Sequence, residues 1–147
     1  MADRVSATIT IGGTLDWAKL PDLIDHIASE GLSTEWDGGD FTAADMPENG
    51  PLELMAHEVA WGRFDDLEGF CVAEGLPFAR WSGGYAGQRG PERVVFTGSG
   101  EPASYAADED DRVVIHREDL TRLASVEAVT AYFDAADYAV PPLGVTP

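Results

Sequence analysis

Between residues 5 and 11 apolar and polar side chains alternate, Val5, Ala7, Ile9 and Ile11 against Ser6, Thr8 and Thr10, the two-residue period of a strand with one buried face. Gly12-Gly13 ends the run, and the period then changes. Leu20, Leu23, Ile24 and Ile27 recur at helical spacing around Pro21, which suits the first turn of a helix, and Gly31 stands where a C-terminal cap is expected. Asp22, Asp25 and Ser29 fall on the wet side of that helix. A short extended run, Leu32 to Trp36, closes at the turn signal Asp37-Gly38-Gly39, and residues 40–51 show no period, as expected of a surface connection.

Leu52 to Val59 resumes the extended pattern, with Leu52, Leu54 and Ala56 on one side and Glu53, Met55 and His57 on the other. A second helix is predicted over about 64–74, with Phe64, Leu67, Phe70 and Cys71 as its apolar stripe and Gly75 just past its end. Pro77 to Trp81 reads as another strand, followed by a glycine-rich loop from Gly83 to Gly90. Arg93 to Thr97 predicts a further strand. Beyond Gly98-Ser99-Gly100 and an acidic loop, Arg112 to His116 is its expected hairpin partner. A last helix is predicted from Ser125, a hydroxyl N-cap, to about Tyr138, where Pro141-Pro142 stops it and leaves a short tail.

The first two of these blocks repeat one pattern. At an offset of 44, Trp17 meets Trp61, Lys19 meets Arg63, Asp22-Leu23 meets Asp66-Leu67, and Glu30-Gly31-Leu32 meets Glu74-Gly75-Leu76. One inserted residue later, Trp36, Gly38 and Gly39 meet Trp81, Gly83 and Gly84. Helices that are merely similar share apolar positions. They do not share paired tryptophans, aspartates and Gly-Gly turns, so the pattern reads as an internal duplication. Each copy runs strand, helix, strand. Two in series predict an α+β fold, a ferredoxin-like βαββαβ antiparallel sheet with its helices on one face, within a single domain. The repeat units fall at about 4–39 and 51–84, and a C-terminal hairpin and helix is added at 91–140. Trp17 and Trp61, at the helix entries, are expected to pack as core or staple residues.

With 147 residues, 44% of them hydrophobic, the chain can bury the core of one domain and is too apolar to be a disordered polymer. No run approaches the roughly 20 apolar residues of a bilayer span. The start carries Arg4 without an apolar h-region, so a cytoplasmic protein is expected. A single cysteine, Cys71, excludes an intrachain disulfide, a Cys-rich zinc site and a redox CxxC pair. Charge changes the picture most: 27 acidic residues against 9 basic ones leave −18, which repels nucleic acid. The excess is uneven, −8 over residues 1–49, −3 over 50–90 and −7 over 91–147.

Catalytic and ligand motifs fail on residue supply or spacing. His26, His57 and His116 fall on different elements, and His57-Glu58 is followed by Val59-Ala60-Trp61, which is not H-E-x-x-H. Cys71 lies on an apolar stripe, where a thiol is inert. The glycine-rich loop lacks the Lys-Ser/Thr of a phosphate cradle. Asp108-Glu109-Asp110-Asp111 lacks the spacing of a calcium loop and reads as a solvated acidic loop. No enzymatic activity, cofactor or metal is expected.

Two acidic groups remain: Asp22, Asp25, Glu35, Asp37 and Asp40 in the first block, and Asp108, Glu109, Asp110 and Asp111, with Glu118 and Asp119 nearby, in the last. Brought together, they would present carboxylates at a density resembling a phosphate backbone and be steered toward basic clefts. The expected function is that of an acidic protein-binding inhibitor, a nucleic-acid mimic that blocks the DNA- or RNA-binding site of a defence nuclease. Its analogy to anti-restriction and anti-CRISPR proteins is one of size and charge. The expected partner is a basic protein, with no direct binding to nucleic acid or membrane. An immunity protein for a basic nuclease toxin, and a small-molecule-binding ferredoxin-like sensor or enzyme, are the alternatives. A GC-rich genome or a salty cytoplasm would give the same composition with acids coating the surface evenly.

Overall fold

The alternation at the N-terminus forms β1 (Arg4–Ile11), whose odd-numbered apolar residues are all buried. In the computed structural model, which describes residues 4–85 and 89–147, β1 lies between β3 (Leu52–Ala60) and β4 (Phe78–Ser82), antiparallel to both. With β5 (Glu92–Phe96) and β6 (Ala103–Ala106) they make an antiparallel five-stranded sheet in the order β3-β1-β4-β5-β6. The helices α1 (Leu20–Ser29) and α2 (Asp65–Glu74) cover one face. Leu23, Ile27, Leu67 and Cys71 from the helices meet Ile9, Ile11, Leu54, Phe78 and Phe96 from the sheet in one core. Burying such side chains contributes about 1.5–3 kcal/mol each before entropy is counted. Gly75 adopts the left-handed conformation (φ 69°) that ends α2, as its place after the periodic run implied.

The sheet has five strands in place of the expected four, and two of the expected strands are missing from it. Over 32–36 only Ser33 pairs, in a single antiparallel bridge to Met55, because Gly38 N–H bonds back to the Glu35 carbonyl and turns the chain off the edge of β3. The expected strand at 112–116 is also absent. Glycines at 98 and 100 with positive φ bring the chain straight back, so β6 takes the place beside β5, while Val113 makes one bridge to Ala107. Residues 117–123, unassigned by periodicity, form α3 (Arg117–Leu123), and the last helix is α4 (Val126–Ala136), capped by Ser125 Oγ accepting from Ala128 N–H.

The tail does more than end the chain. It runs back as β7 (Leu143–Thr146), parallel to β2 (Gly13–Asp16), a pairing between the two ends of the sequence. Gly12 makes this possible, since a Cβ there would collide with the carbonyl of Pro141. α4 and the 107–116 segment cover the second face of the sheet over β5 and β6: Arg93 Nε donates to the Ala136 carbonyl at 2.8 Å, and Tyr105 meets Tyr132 edge-on at 5.1 Å. On the same side, over β3 and β1, Ser6, Thr8 and Thr10 are half-buried and Glu53 and His57 are exposed. Trp17 and Trp61 are exposed rather than packed, correcting the expectation of core or staple residues. Trp17 sits on a 3-10 turn, and Trp61 on a turn at φ 59°.

Candidate functional site

On that side of β1 and β3, local backbone irregularity gathers polar groups. A β-bulge sets Ser6 of β1 against both His57 and Glu58 of β3, and Glu58 takes φ 55° to accommodate it. The bulge re-aims His57. Its Nδ1 lies 3.0 Å from Ser6 Oγ, its Nε2 lies 3.6 Å from Asp37 Oδ1, and its ring stacks on Trp36 with centroids 4.5 Å apart. The turn carrying Glu35, Trp36, Asp37 and Asp40 is thus tied to the sheet by the Ser33 bridge at one end and the Trp36–His57 stack in its middle.

A serine, a histidine and an aspartate in contact invite a catalytic reading. Asp37, however, is 86% exposed at its side chain, and its Oδ1 lies 3.6 Å from the imidazole, beyond hydrogen-bond distance. An aspartate so open to water neither orients nor desolvates the imidazole as activation of a serine requires. The trio instead fastens the acidic turn to β1 and β3.

From Ser6 the site continues across the end of the sheet. Gly83 N–H donates to the Ser6 carbonyl at 2.9 Å, and Gly84 N–H donates to Glu109 Oε1 at 2.9 Å. Asp37 and Glu109 therefore flank the same end of β1 and β4, and structure brings part of the two acidic groups together. Asp22 and Asp25 are exposed on α1, on the helical face of the sheet. Ala86, Gly87 and Gln88 of the glycine-rich loop lie outside the described residues.

The second acidic group is less free than its sequence suggests. Asp108 accepts from the backbone N–H groups of Arg112 and Asp110 and pairs with Arg112 Nε at 2.8 Å. The backbone bond from Arg112 leads in holding its carboxyl below the ordinary value. Its own carbonyl accepts from the indole of Trp81, the one buried tryptophan. Asp111 binds Arg93 through both oxygens, at 3.1 and 2.9 Å, yet burial and the nearby Asp137 and Asp108 carboxylates push its carboxyl up. Asp110 reaches Arg112 at 3.3 Å. This segment is a folded turn whose carboxylates largely serve its own structure.

One acidic group escaped the sequence reading. Glu30, at the end of α1, meets Asp65 and Asp66 at the start of α2 around a cleft that Arg4, Glu58, Trp61 and Arg63 also line. Burial, then the carboxylates of Asp66, Asp65 and Glu68, hold the Glu30 carboxyl above its ordinary value. Packing of α1 against α2 on one face was the available signal, because it brings the end of one helix to the start of the other. Among the described residues, six of the nine basic side chains pair with carboxylates: Lys19, Arg63, Arg80, Arg93, Arg112 and Arg122. Most cations are thereby engaged locally. Cys71 is buried and free, its thiol pushed up to about 12 by burial and by Glu68. Among the described residues no group of three or more His, Cys, Asp or Glu is placed to hold a metal ion, and no helix is long and apolar enough to cross a membrane. No protein-family model, curated protein or solved structure matches the chain.

Proposed function

We propose that this chain is an acidic binding protein of the cytoplasm that occupies a basic cleft on another protein, one its partner uses to hold DNA or RNA, and so acts as an inhibitor without chemistry of its own. One observation carries the reading: Glu35, Trp36, Asp37 and Asp40 are all exposed on a turn pinned to the sheet. A backbone already held in place has little ordering left to lose on binding, and the exposed indole among the carboxylates offers a face to arginine or lysine. Glu109 and Asp110 extend the surface across the strand ends, while Asp108 and Asp111 support it from behind. Under the same proposal residues 4–84 form an abbreviated ferredoxin-like unit. The order Ser33 bridge, β3, β1, β4 and its antiparallel sense support that relation.

The test compares capture from host lysate by the native chain and by Glu35→Lys/Asp37→Lys/Asp40→Lys, at low and high salt. The native chain is expected to retain a basic, nucleic-acid-binding protein at low salt and release it as salt rises, and the triple variant to lose it. Added DNA or RNA should compete with the chain for that protein. Capture that is indifferent to salt, to the triple substitution or to competing nucleic acid would falsify the proposal.

A further inference from the structure

On the helical side of the molecule, away from the acidic turn at 35–37, a groove of about 440 Å³ runs along the flank of α1, lined chiefly by Trp17, Leu20, Pro21, Ile24, Asp25 and Ala43. Its walls are built, not incidental. Asp16 Oδ1 accepts from Ala18 N–H at 2.9 Å and starts the 3-10 turn that holds Trp17 at the mouth, 65% exposed. Opposite, Asp45 Oδ2 accepts from Thr42 N–H at 2.9 Å and closes a second 3-10 turn that fixes Ala43. A groove with both walls capped in place costs little ordering when it is filled. Leaving a tryptophan this open carries a standing cost in exposed apolar surface, and such residues concentrate binding energy at interfaces.

The charge around the groove selects its occupant. Asp25 lines it, and Asp16, Asp22 and Asp45, all exposed, stand within three residues of a lining residue along the chain. Lys19, the base between Trp17 and Leu20, is engaged by Glu74 of α2 at 3.5 Å. A second copy of the chain would bring another −18 to this rim, and an anionic lipid surface would be repelled as well. An apolar floor under an acidic rim complements a segment that carries large apolar side chains flanked by lysine and arginine.

We infer that this groove is a docking site for a basic amphipathic peptide segment of a partner protein, which seats leucine- or phenylalanine-sized side chains against Trp17 and Ile24. This goes beyond the inhibitory reading: the latter needs only carboxylates, whereas the groove acts through apolar contact with charge as the selector. The probe is a synthetic lysine- and arginine-rich helical peptide with leucine and phenylalanine at positions four apart. Binding to the full chain is followed by indole fluorescence and by calorimetry at physiological salt. Trp17→Ala and Ile24→Glu, each checked for an unchanged circular dichroism spectrum, should weaken binding by about tenfold or more, as removal of an interface anchor does. A control peptide with serine at the apolar positions and the same charge should bind at least about tenfold more weakly. Equal binding of the serine peptide, or no effect of either substitution, overturns the inference. So does a concentration-dependent dimer that Trp17→Ala dissolves, since a second copy would then be the occupant. The serine control isolates the apolar contribution, so the outcome does not depend on whether Glu35, Asp37 and Asp40 bind anything.

Discussion

Partners from a loop, a helix and a neighbouring strand converge on Arg80. It is 3% exposed on β4, donates to the Gly62 carbonyl at 2.8 Å, and lies 3.0 Å from Glu68 on α2 and 3.3 Å from Glu92 on β5. The contact with Glu68 is an ion pair without hydrogen-bond alignment at Nε, and burial outweighs Arg80 in setting the Glu68 carboxyl above its ordinary value. Removing Glu68 leaves the buried Arg80 with only the more exposed carboxylate of Glu92 to balance it. Glu68→Ala is therefore expected to cost about 3 kcal/mol in urea unfolding, and Arg80→Met in the same background to recover most of it. A loss of only a few tenths would place the anchoring of Arg80 elsewhere. The strand Pro77 to Trp81 was legible from its composition, but the burial of Arg80 was not. A charged residue reads as exposed unless its partners are known, and these come from segments 12 to 18 residues away.

At the scale of elements, local signals decided where helices begin and end, and long-range pairing decided which extended runs became strands. Pro21, Ser125 and Gly75 mark termini through chemistry complete within one turn, and all three mark real ones. The run at 32–36 and the run at 112–116 look as extended as β1 yet contribute one bridge each, because neighbouring turns carry them away from the sheet edge. The bulge in β3 shows another limit. Leu52 and Leu54 are buried on even positions and Val59 on an odd one, so a single alternation could not describe both halves of the strand. Gly12 governs the pairing of β2 with β7. Gly12→Ala is expected to destabilise the chain by about 1–3 kcal/mol through overpacking against Pro141, and to speed hydrogen exchange at residues 143–146 more than at β1. Uniform loss of protection would show that the pairing is not a separate unit.

For the whole molecule, proton linkage predicts an acid-side optimum of stability. Burial holds the carboxyls of Glu30, Glu68 and Asp111 above their ordinary values. At these groups the native state binds more protons than the unfolded chain, so stability rises as pH falls from neutral through the raised values toward the ordinary glutamate value of 4.5. Asp108 and Asp119 act in the opposite sense. Backbone N–H bonds from Arg112 and His116 hold them below 3.8, and the stability they contribute is lost as pH falls through the lowered values. Relief of self-repulsion at −18 adds to the first trend. The thermal midpoint, followed by circular dichroism in dilute solution, is expected to rise as pH falls from neutral toward 4.5 and to fall steeply in stronger acid. A steady decline over the upper range would show that the buried carboxyls do not govern it.

Periodicity, caps and composition were enough to establish a mixed α+β chain, the helices α1 and α2, the buried side of β1, a buried cysteine and a large acid surplus, since each depends on neighbours within a turn or on simple counting. Strand order, the return of the tail beside β2, the exposure of three tryptophans and the separation of carboxylates into structural and free ones arose from contacts between distant segments. Asp108 and Asp37 look alike along the chain. One is enclosed by its own turn and the other stands in water beside His57, because only the folded backbone determines which N–H groups and arginines each carboxylate can reach.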